Sequence, residues 1–282
     1  MPDNIAREHF APNLFKPPQS ARREDDFWGK DVFPSFPWNT YDATFEDLLS
    51  KISLKSFNEL VKKRKMEGKF CNVLDLMGGG YFIEPNDYKF VDSVTGFRLS
   101  DPESAYVRQV EEEIDHEKIR DPRYVRPEYT KRLLQDLDKL RLLQKEPKRK
   151  ITHGSIFNKR DWVELDSLMS SQNIAAFDVV VCRPEGPFFA ENITAGKPLT
   201  DYEKLNYGAV FDKVFYEIHV RMNHKDGIIF TQVPQIFGKD WIDKWVEKNG
   251  KKYGLKTDVV QCVRDEHYKK ETYVLMARYL NK

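Results

Sequence analysis

The sequence has few cysteines, no long apolar run and almost no net charge. Its cysteines are Cys71, Cys182 and Cys262 in 282 residues. Their odd number and wide spacing argue against a disulfide framework and against a cysteine-based metal site, so we expect no metal and a reducing compartment. No apolar run approaches the roughly 20 residues of a membrane-spanning helix. The net charge of +1 excludes a global field that would draw the whole chain to nucleic acid or an anionic membrane.

The N-terminal segment lacks the features of a targeting peptide and of a regular helix or strand. Residues 1–10 include early acids and no apolar stretch, so we expect neither a signal peptide nor a transit peptide, and a cytoplasmic location. The segment up to residue 41 is rich in proline, charge and aromatic residues, and so many aromatic residues are not typical of disorder. We expect residues 1–41 to form an arm that wraps onto a domain at 42–282. A lid over a substrate pocket is the alternative.

The sequence also lacks a P-loop, since no Gly-Lys-Ser or Gly-Lys-Thr occurs. Residues 71–81 instead read Cys-Asn-Val-Leu-Asp-Leu-Met-Gly-Gly-Gly-Tyr. An apolar run that ends at glycines predicts a buried strand that stops abruptly. Glycine lets a ligand approach the backbone closely, and α/β sheets bind ligands outside the carboxyl ends of their strands. We therefore predict a ligand loop at 75–80, with a tight strand-to-helix turn as the alternative.

Helical and strand patterns alternate along the chain. Apolar periodicity predicts helices at 42–65, with a break at Ser53 or Ser56, and at 103–114, 128–144, 162–169, 201–222 and 241–246. Apolar runs predict strands at 71–76, 94–100, 151–157, 177–182, 227–233, 259–263 and 272–277. Two X-Pro pairs at 121–127 predict a connector over 115–126, within a helical insertion at about 115–150. The order predicts a doubly wound, mostly parallel α/β sheet of seven strands, closed by an antiparallel hairpin.

Two basic segments, 61–65 and 145–150, end predicted helices. Cations at the C-terminus of a helix complement its dipole, and this is the interpretation that we favour for both segments. A phosphate-binding patch is the alternative for the first segment, and a contact with nucleic acid is the alternative for the second.

This order of elements resembles the class I S-adenosylmethionine-dependent methyltransferases, over roughly residues 70–280. The segment at 73–80 is similar to the family's first motif, in which a strand ends in an acid followed by spaced glycines. Val-Thr-Gly-Phe-Arg-Leu-Ser at 94–100, His-Gly-Ser-Ile at 153–156 and Phe-Asp-Val-Val-Val-Cys-Arg-Pro at 177–184 resemble the second, third and fourth strand motifs. The closing hairpin is also typical of this Rossmann-like family.

The resemblance implies a transferase that moves a methyl group from S-adenosyl-L-methionine to an acceptor, which is a small molecule, RNA or protein. It implies a cofactor site at Asp75, Met77, Gly78, Gly79, Gly80, Arg98, Asp101, Ser155, Ile156 and Cys182, with Asp75 near the cofactor's ammonium group. It implies a catalytic role for Arg183 and for Glu185, the latter as general base. The acceptor would then lie against Pro184, Phe188 and Phe189.

The chain departs from the family's pattern where the cofactor would bind. Met77 replaces a glycine, and Ser155 replaces the acid that faces the adenine amine. Arg98 replaces the acid that accepts the ribose hydroxyls, although arginine has no acceptor, so Asp101 is the expected substitute. Arg183 replaces the asparagine that holds a planar amino substrate in one subfamily, so N-methylation by that mechanism is not implied.

These departures leave two other hypotheses open. The chain could be a catalytically inactive methyltransferase-fold module that binds a protein partner through the N-terminal arm or the 115–150 insertion. It could also be a nucleotide-binding oxidoreductase in which Arg98 pairs with a ribose phosphate. We rank this last hypothesis lowest because of the closing hairpin.

Overall fold

The computed structural model describes residues 40–76, 78–98, 102–119, 127–154, 156, 159–182, 201–233, 237–263 and 271–279. The helices of this part are α1 (Thr40–Ser50), α2 (Phe57–Met66), α3 (Pro102–Ile119), α4 (Pro127–Gln144), α5 (Lys159–Ser171), α6 (Asp201–His219) and α7 (Lys239–Tyr253). The strands are β1 (Asn72–Leu76), β2 (Ser93–Arg98), β3 (Arg149–His153), β4 (Val179–Cys182), β5 (Ile228–Gln232), β6 (Leu255–Val263) and β7 (Glu271–Tyr279). A 3-10 helix (Pro85–Phe90) connects β1 to β2.

The seven strands form one sheet in the order β3-β2-β1-β4-β5-β7-β6. The first five strands are parallel, and β7 pairs antiparallel with both β5 and β6. The predicted fold class is therefore confirmed. From β1 the chain adds strands on one side, and it then crosses to add β4 on the other side. The crevice between β1 and β4 is thus a topological switch point, where such sheets bind ligands.

The helices cover both faces of the sheet. Helices α1 to α4 pack on one face and α5 to α7 on the other, and each face has its own cluster of buried apolar side chains. The predicted break in the first helix is confirmed, because Ser53 has a φ of 60° and the Ser56 hydroxyl caps α2 by accepting the Glu59 N–H at 3.2 Å. A residue with a left-handed backbone ends the first helix, and an N-cap residue starts the second.

Several predicted boundaries differ from the structure, as does one predicted burial pattern. The connector predicted at 115–126 is wrong over 115–119, where α3 continues to Ile119. The leucines of residues 128–144 also predict one buried side that includes Leu134 and Leu142. These two side chains are instead 44% and 58% exposed, because they lie outside the stripe formed by Leu133, Leu137, Leu140 and Leu143. β3 begins at Arg149, two residues before the predicted start.

The predicted arm at 1–41 lies outside the described residues except for its last two positions, which begin α1. Within the described ranges, no helix combines the length and the apolar character needed to cross a bilayer.

Candidate functional site

Asp75, at the carboxyl end of β1, closes the glycine loop from within. Its carboxylate is fully buried, and Oδ2 accepts the Gly80 N–H at 2.6 Å. The Tyr41 hydroxyl, in the first turn of α1, donates to the same carboxylate and lies 3.3 Å from Oδ1 and 3.2 Å from Oδ2. The carboxylate therefore joins β1, the glycine loop and α1.

The glycines of the loop are required by close packing against the chain's own atoms. Gly80 has a φ of 76°, a conformation that favours glycine. A Cβ at Gly78 would overlap the Asp75 carboxylate and the Tyr41 hydroxyl, and a Cβ at Gly79 would lie 2.8 Å from Nη2 of Arg149. The tight-turn interpretation thus accounts for these glycines as well as the ligand-loop interpretation does.

Gly96 in β2 lets the loop lie on the face of the sheet. A Cβ at this position would lie 2.7 Å from the carbonyl oxygen of Gly78 and 3.0 Å from Cα of Gly79. Since real Cβ atoms are not found so close to backbone atoms, only glycine fits here. The loop and the second strand therefore pack as one unit.

A buried charged cluster lies beside the loop and consists of Tyr81, Arg98, Glu103 and Arg149. Glu103, in the first turn of α3, accepts the Tyr81 hydroxyl at 2.7 Å, Nη1 of Arg98 at 3.2 Å and Nη2 of Arg149. Arg149 also donates from Nε to the Gly79 carbonyl at 2.7 Å. Arg98, Glu103 and Arg149 are 6%, 4% and 9% exposed. The cluster thus anchors the loop to β2, α3 and β3.

Glu103 is ionised in this cluster. Burial alone would raise its pKa, but the hydrogen bond and charge of Arg149, the charge of Arg98 and the Tyr81 hydroxyl bring the pKa down to about 2. Burial is also the main cause that raises the pKa of Tyr81 far above its ordinary value. The cluster is therefore a carboxylate held between two guanidinium groups, with a neutral phenol against it.

Arg98 thus points to Glu103, at the position where the ribose acceptor was expected. It brings donors and no acceptor to the carboxyl end of β2. The link from β1 to β2 also differs from the usual doubly wound pattern, since a 3-10 helix at Pro85–Phe90 replaces an α-helix. The glycine loop consequently lacks the helix N-terminus that assists anion binding in many α/β proteins.

Ile156 and Cys182 lie together in the core on the other face of the sheet. They line a cavity of about 10 Å³ together with Phe211, Val214, Phe215, Ile218 and Thr231. Such a volume holds about one water. Burial raises the pKa of Cys182 to about 12, so its thiol is neutral. Both residues therefore act here as apolar core.

The order of the strands and the hairpin of β6 and β7 decide the type of fold. The sheet has the strand order and the closing hairpin of the class I methyltransferase fold. Similar solved structures include the N-methyltransferase NodS from Bradyrhizobium japonicum WM9, with 10% identity, 79% of this chain and 93% of that chain covered, and a TM-score of 0.39. For the methyltransferase domain of bacterial CtHen1, the identity is 15%, 78% of this chain and 95% of that chain are covered, and the TM-score is 0.38. For a protein from Streptococcus mutans described as a methyltransferase, in complex with SAH, the identity is 12%, 74% of this chain and 89% of that chain are covered, and the TM-score is 0.37.

No protein-family model and no curated protein matches the chain. The likenesses to the solved structures are distant, with TM-scores below 0.5, so the functional residues have to be argued from this chain.

Within the methyltransferase fold, the structure brings Asp75, Gly78, Gly79, Gly80 and Arg98 to one place and Ile156 and Cys182 to another. The other predicted site residues lie outside the described residues: Met77, Asp101, Ser155, Arg183, Pro184, Glu185, Phe188 and Phe189.

Sequence reasoning missed Tyr41, Glu103 and Arg149 as neighbours of the loop. Glu103 gave a signal, since an acid in the first turn after β2 can reach back to a cation at the end of that strand. Arg149 gave none, because it was one of several cations at 145–150.

Proposed function

We propose that this chain is an S-adenosyl-L-methionine-dependent methyltransferase, with an acceptor that is still to be found. One observation carries the proposal: the loop closed by Asp75 lies at the carboxyl end of β1, at the switch point of a methyltransferase-type sheet. In open α/β sheets, ligands bind in the crevice outside the carboxyl ends of the strands at such a point.

The described residues offer candidates for one end of the cofactor. Asp75 would hold the ammonium group once the Tyr41 hydroxyl, which now donates to both oxygens of this fully buried carboxylate, moves aside. The backbone of Gly78–Gly80 would contact the amino-acid end. Because Arg98 is bound to Glu103, the ribose acceptor would be Asp101.

The bound cofactor would supply an activated methyl group on its sulfonium. The chain's own part is then to orient an acceptor and to exclude water. Arg183 and Glu185 remain the candidates for acting on the acceptor, with Glu185 as the base where the acceptor must lose a proton.

Calorimetric titration of the full chain with S-adenosylmethionine tests the proposal. Asp75→Asn should weaken binding about 10-fold or more, because a hydrogen bond to a charged group is worth about 1.5–3 kcal/mol. Asp178→Asn is the matched control. Asp178 is also a buried carboxylate that accepts a backbone N–H, from Asn72 at 2.8 Å, but it lies at the opposite ends of the strands.

Equal losses in the two variants would mean that Asp75 acts on stability alone. If millimolar S-adenosylmethionine gave neither heat nor a thermal shift, the methyltransferase hypothesis would be refuted. The hypothesis of a catalytically inactive binding module would then remain. A parallel titration with NADPH tests the oxidoreductase, since tight binding of this phosphate-bearing ligand would favour it.

A further inference from the structure

Two basic segments that are distant in the sequence meet at the amino ends of the strands. The first segment, 62–69, covers the end of α2 and the residues after it. The second segment, 145–150, runs from the end of α4 into β3. Between them runs a groove of about 390 Å³, here named the amino-end groove. It is lined by Phe70, Asn72, Asp92, Ser93, Pro147, Lys148, Gln172, Asn173 and Ile174. This is the end of the sheet opposite to the glycine loop.

The surroundings of the amino-end groove are positive. Segments 62–69, 87–92 and 145–150 contain eight lysines and four acids, besides two arginines. Arg149 points inward, and its charge is balanced by Glu103. Arg64 is buried between two carboxylates, Asp178 and Asp226, so this group of three side chains has a net charge of −1. Three positive charges therefore remain in excess, although the whole chain has a net charge of only +1.

Complementing helix dipoles does not account for this excess. Three helices end here, α2, α4 and α5. Each helix C-terminus corresponds to about −0.5 charge, so together they offset about half of the excess. The remainder is available to an anion from outside the chain.

Several groups in the amino-end groove and in the basic segments beside it are free to bind. Among the described residues, no carboxylate lies within ion-pair distance of Lys63 or Lys145, whereas Lys62 and Lys65 are paired with Asp87 and Asp92. The side-chain amides of Gln172 and Asn173 make no hydrogen bond within the described ranges.

Phe70 adds an aromatic surface to the amino-end groove. It is 73% exposed at the groove's edge, although a phenylalanine of a folded domain is usually buried. Apolar area and free amides thus line one concavity, and the unpaired lysines Lys63 and Lys145 belong to the segments beside it. In the lining itself, Lys148 donates to the carbonyls of Tyr88 and Val91, and Asp92 is paired with Lys65.

We propose that the amino-end groove binds single-stranded nucleic acid. Proteins that bind single strands combine a positive groove for the phosphates with aromatic side chains on which bases stack. Lys63 and Lys145 would contact phosphates, Phe70 would stack on a base, and the amides of Gln172 and Asn173 would meet base edges. A membrane fits less well, because the surface is concave and has the polar residues Asn72 and Ser93 in its lining.

This proposal does not depend on the proposed methyl transfer. The groove lies at the opposite ends of the strands from Asp75, so a bound strand would be held away from the cofactor loop. If both proposals hold, the groove would recruit a nucleic-acid acceptor by a segment other than the one that is methylated.

The test is fluorescence anisotropy of labelled 12-nucleotide RNA, DNA of the same sequence and the corresponding duplex, with the full chain and no cofactor. We expect the single strands to bind more tightly than the duplex. With two phosphate contacts, from Lys63 and Lys145, a rise from 50 to 200 mM salt should weaken binding of the single strands about 7-fold. Comparison of the RNA and DNA strands shows which of the two the groove prefers.

The double variant Lys63→Glu with Lys145→Glu should weaken binding at least 10-fold, and Phe70→Ala should weaken it about 5-fold or more. Lys244→Glu with Lys256→Glu makes the same change of charge at exposed positions of α7 and β6, and Ile119→Ala removes another exposed side chain. These controls should bind as the wild type does.

Equal weakening by the groove and control variants, or no binding of any oligonucleotide, would overturn the proposal. Preferential binding of vesicles containing anionic lipid, with no effect of oligonucleotides, would also overturn it and assign the groove to a membrane surface. All the altered side chains are exposed, so unchanged circular dichroism and melting temperature should accompany each variant.

Discussion

Replacing Glu103 with glutamine should remove the only carboxylate of the buried charged cluster. Arg98 and Arg149 would then keep their charges at 6% and 9% exposure, without the carboxylate that both now contact. Removing one partner of a buried ion pair typically costs about 3–5 kcal/mol, because the remaining charge is left uncompensated. We expect a loss of this size in the free energy of unfolding at pH 7, measured by urea denaturation.

The pKa of Glu103 gives a second, independent magnitude. A carboxyl that titrates at about 2 when folded and at its ordinary value of 4.5 when unfolded contributes about 3 kcal/mol. Because the folded pKa is the lower one, this contribution is present above pH 4.5 and is lost as the pH falls towards 2. The difference between the wild type and Glu103→Gln should therefore shrink over this window.

Glu111→Gln is the matched control on the same helix. Its carboxylate lies 3.5 Å from Arg141, and both side chains are about half exposed. A surface ion pair of this kind contributes about 0–1 kcal/mol. If Glu103→Gln cost less than about 1 kcal/mol, or if its effect did not change with pH, the assignment of a buried ionised carboxylate would be wrong.

Three further predictions concern other parts of the fold. Gly96→Ala should cost about 1–3 kcal/mol in urea denaturation, because its Cβ would press on the glycine loop. Gly238→Ala, with no atom within 4 Å of the added Cβ, should cost no more than about 1 kcal/mol, since it changes only the N-cap of α7. Burial, followed by the charges of His224 and Lys252, lowers the pKa of His219 to about 4, so stability should rise with pH between 4 and 6.5. His219 is only half-buried, so this gain should be about 1 kcal/mol and should be absent in His219→Gln. Arg64→Met should cost about 3 kcal/mol or more in thermal and urea unfolding, because it leaves the Asp178 carboxylate buried without its cation.

The sequence was sufficient for the architecture because local patterns determine it. Alternating apolar periods placed the strands, and the short link before β7 required the antiparallel hairpin. Even the break between α1 and α2 was predictable, since serine is a common N-cap, as Ser56 is here.

The neighbours of the loop were not predictable, because each of them is defined by a contact distant in sequence. Tyr41 reaches Asp75 across 34 positions, and Arg149 reaches Glu103 across 46. In sequence, Arg149 cannot be distinguished from Lys148 and Lys150 beside it. The pairing of β2 with β3 decides which of these cations faces the core. It places Arg149 opposite Val94, and the Arg149 side chain is buried.

The two ends of the sheet therefore differ in how they would bind a ligand. At the carboxyl end, Asp75 holds Gly80 and Arg149 holds Gly79, so the loop is fixed before any ligand arrives. A ligand there gains affinity because it does not have to order the loop, but it must share the Asp75 carboxylate with Tyr41. At the amino end, lysines and Phe70 remain solvated, so a strand bound there would gain mainly from counterion release and stacking. Salt should consequently weaken binding at the amino-end groove far more than binding at the buried carboxylate, and this separates the two sites in a single preparation.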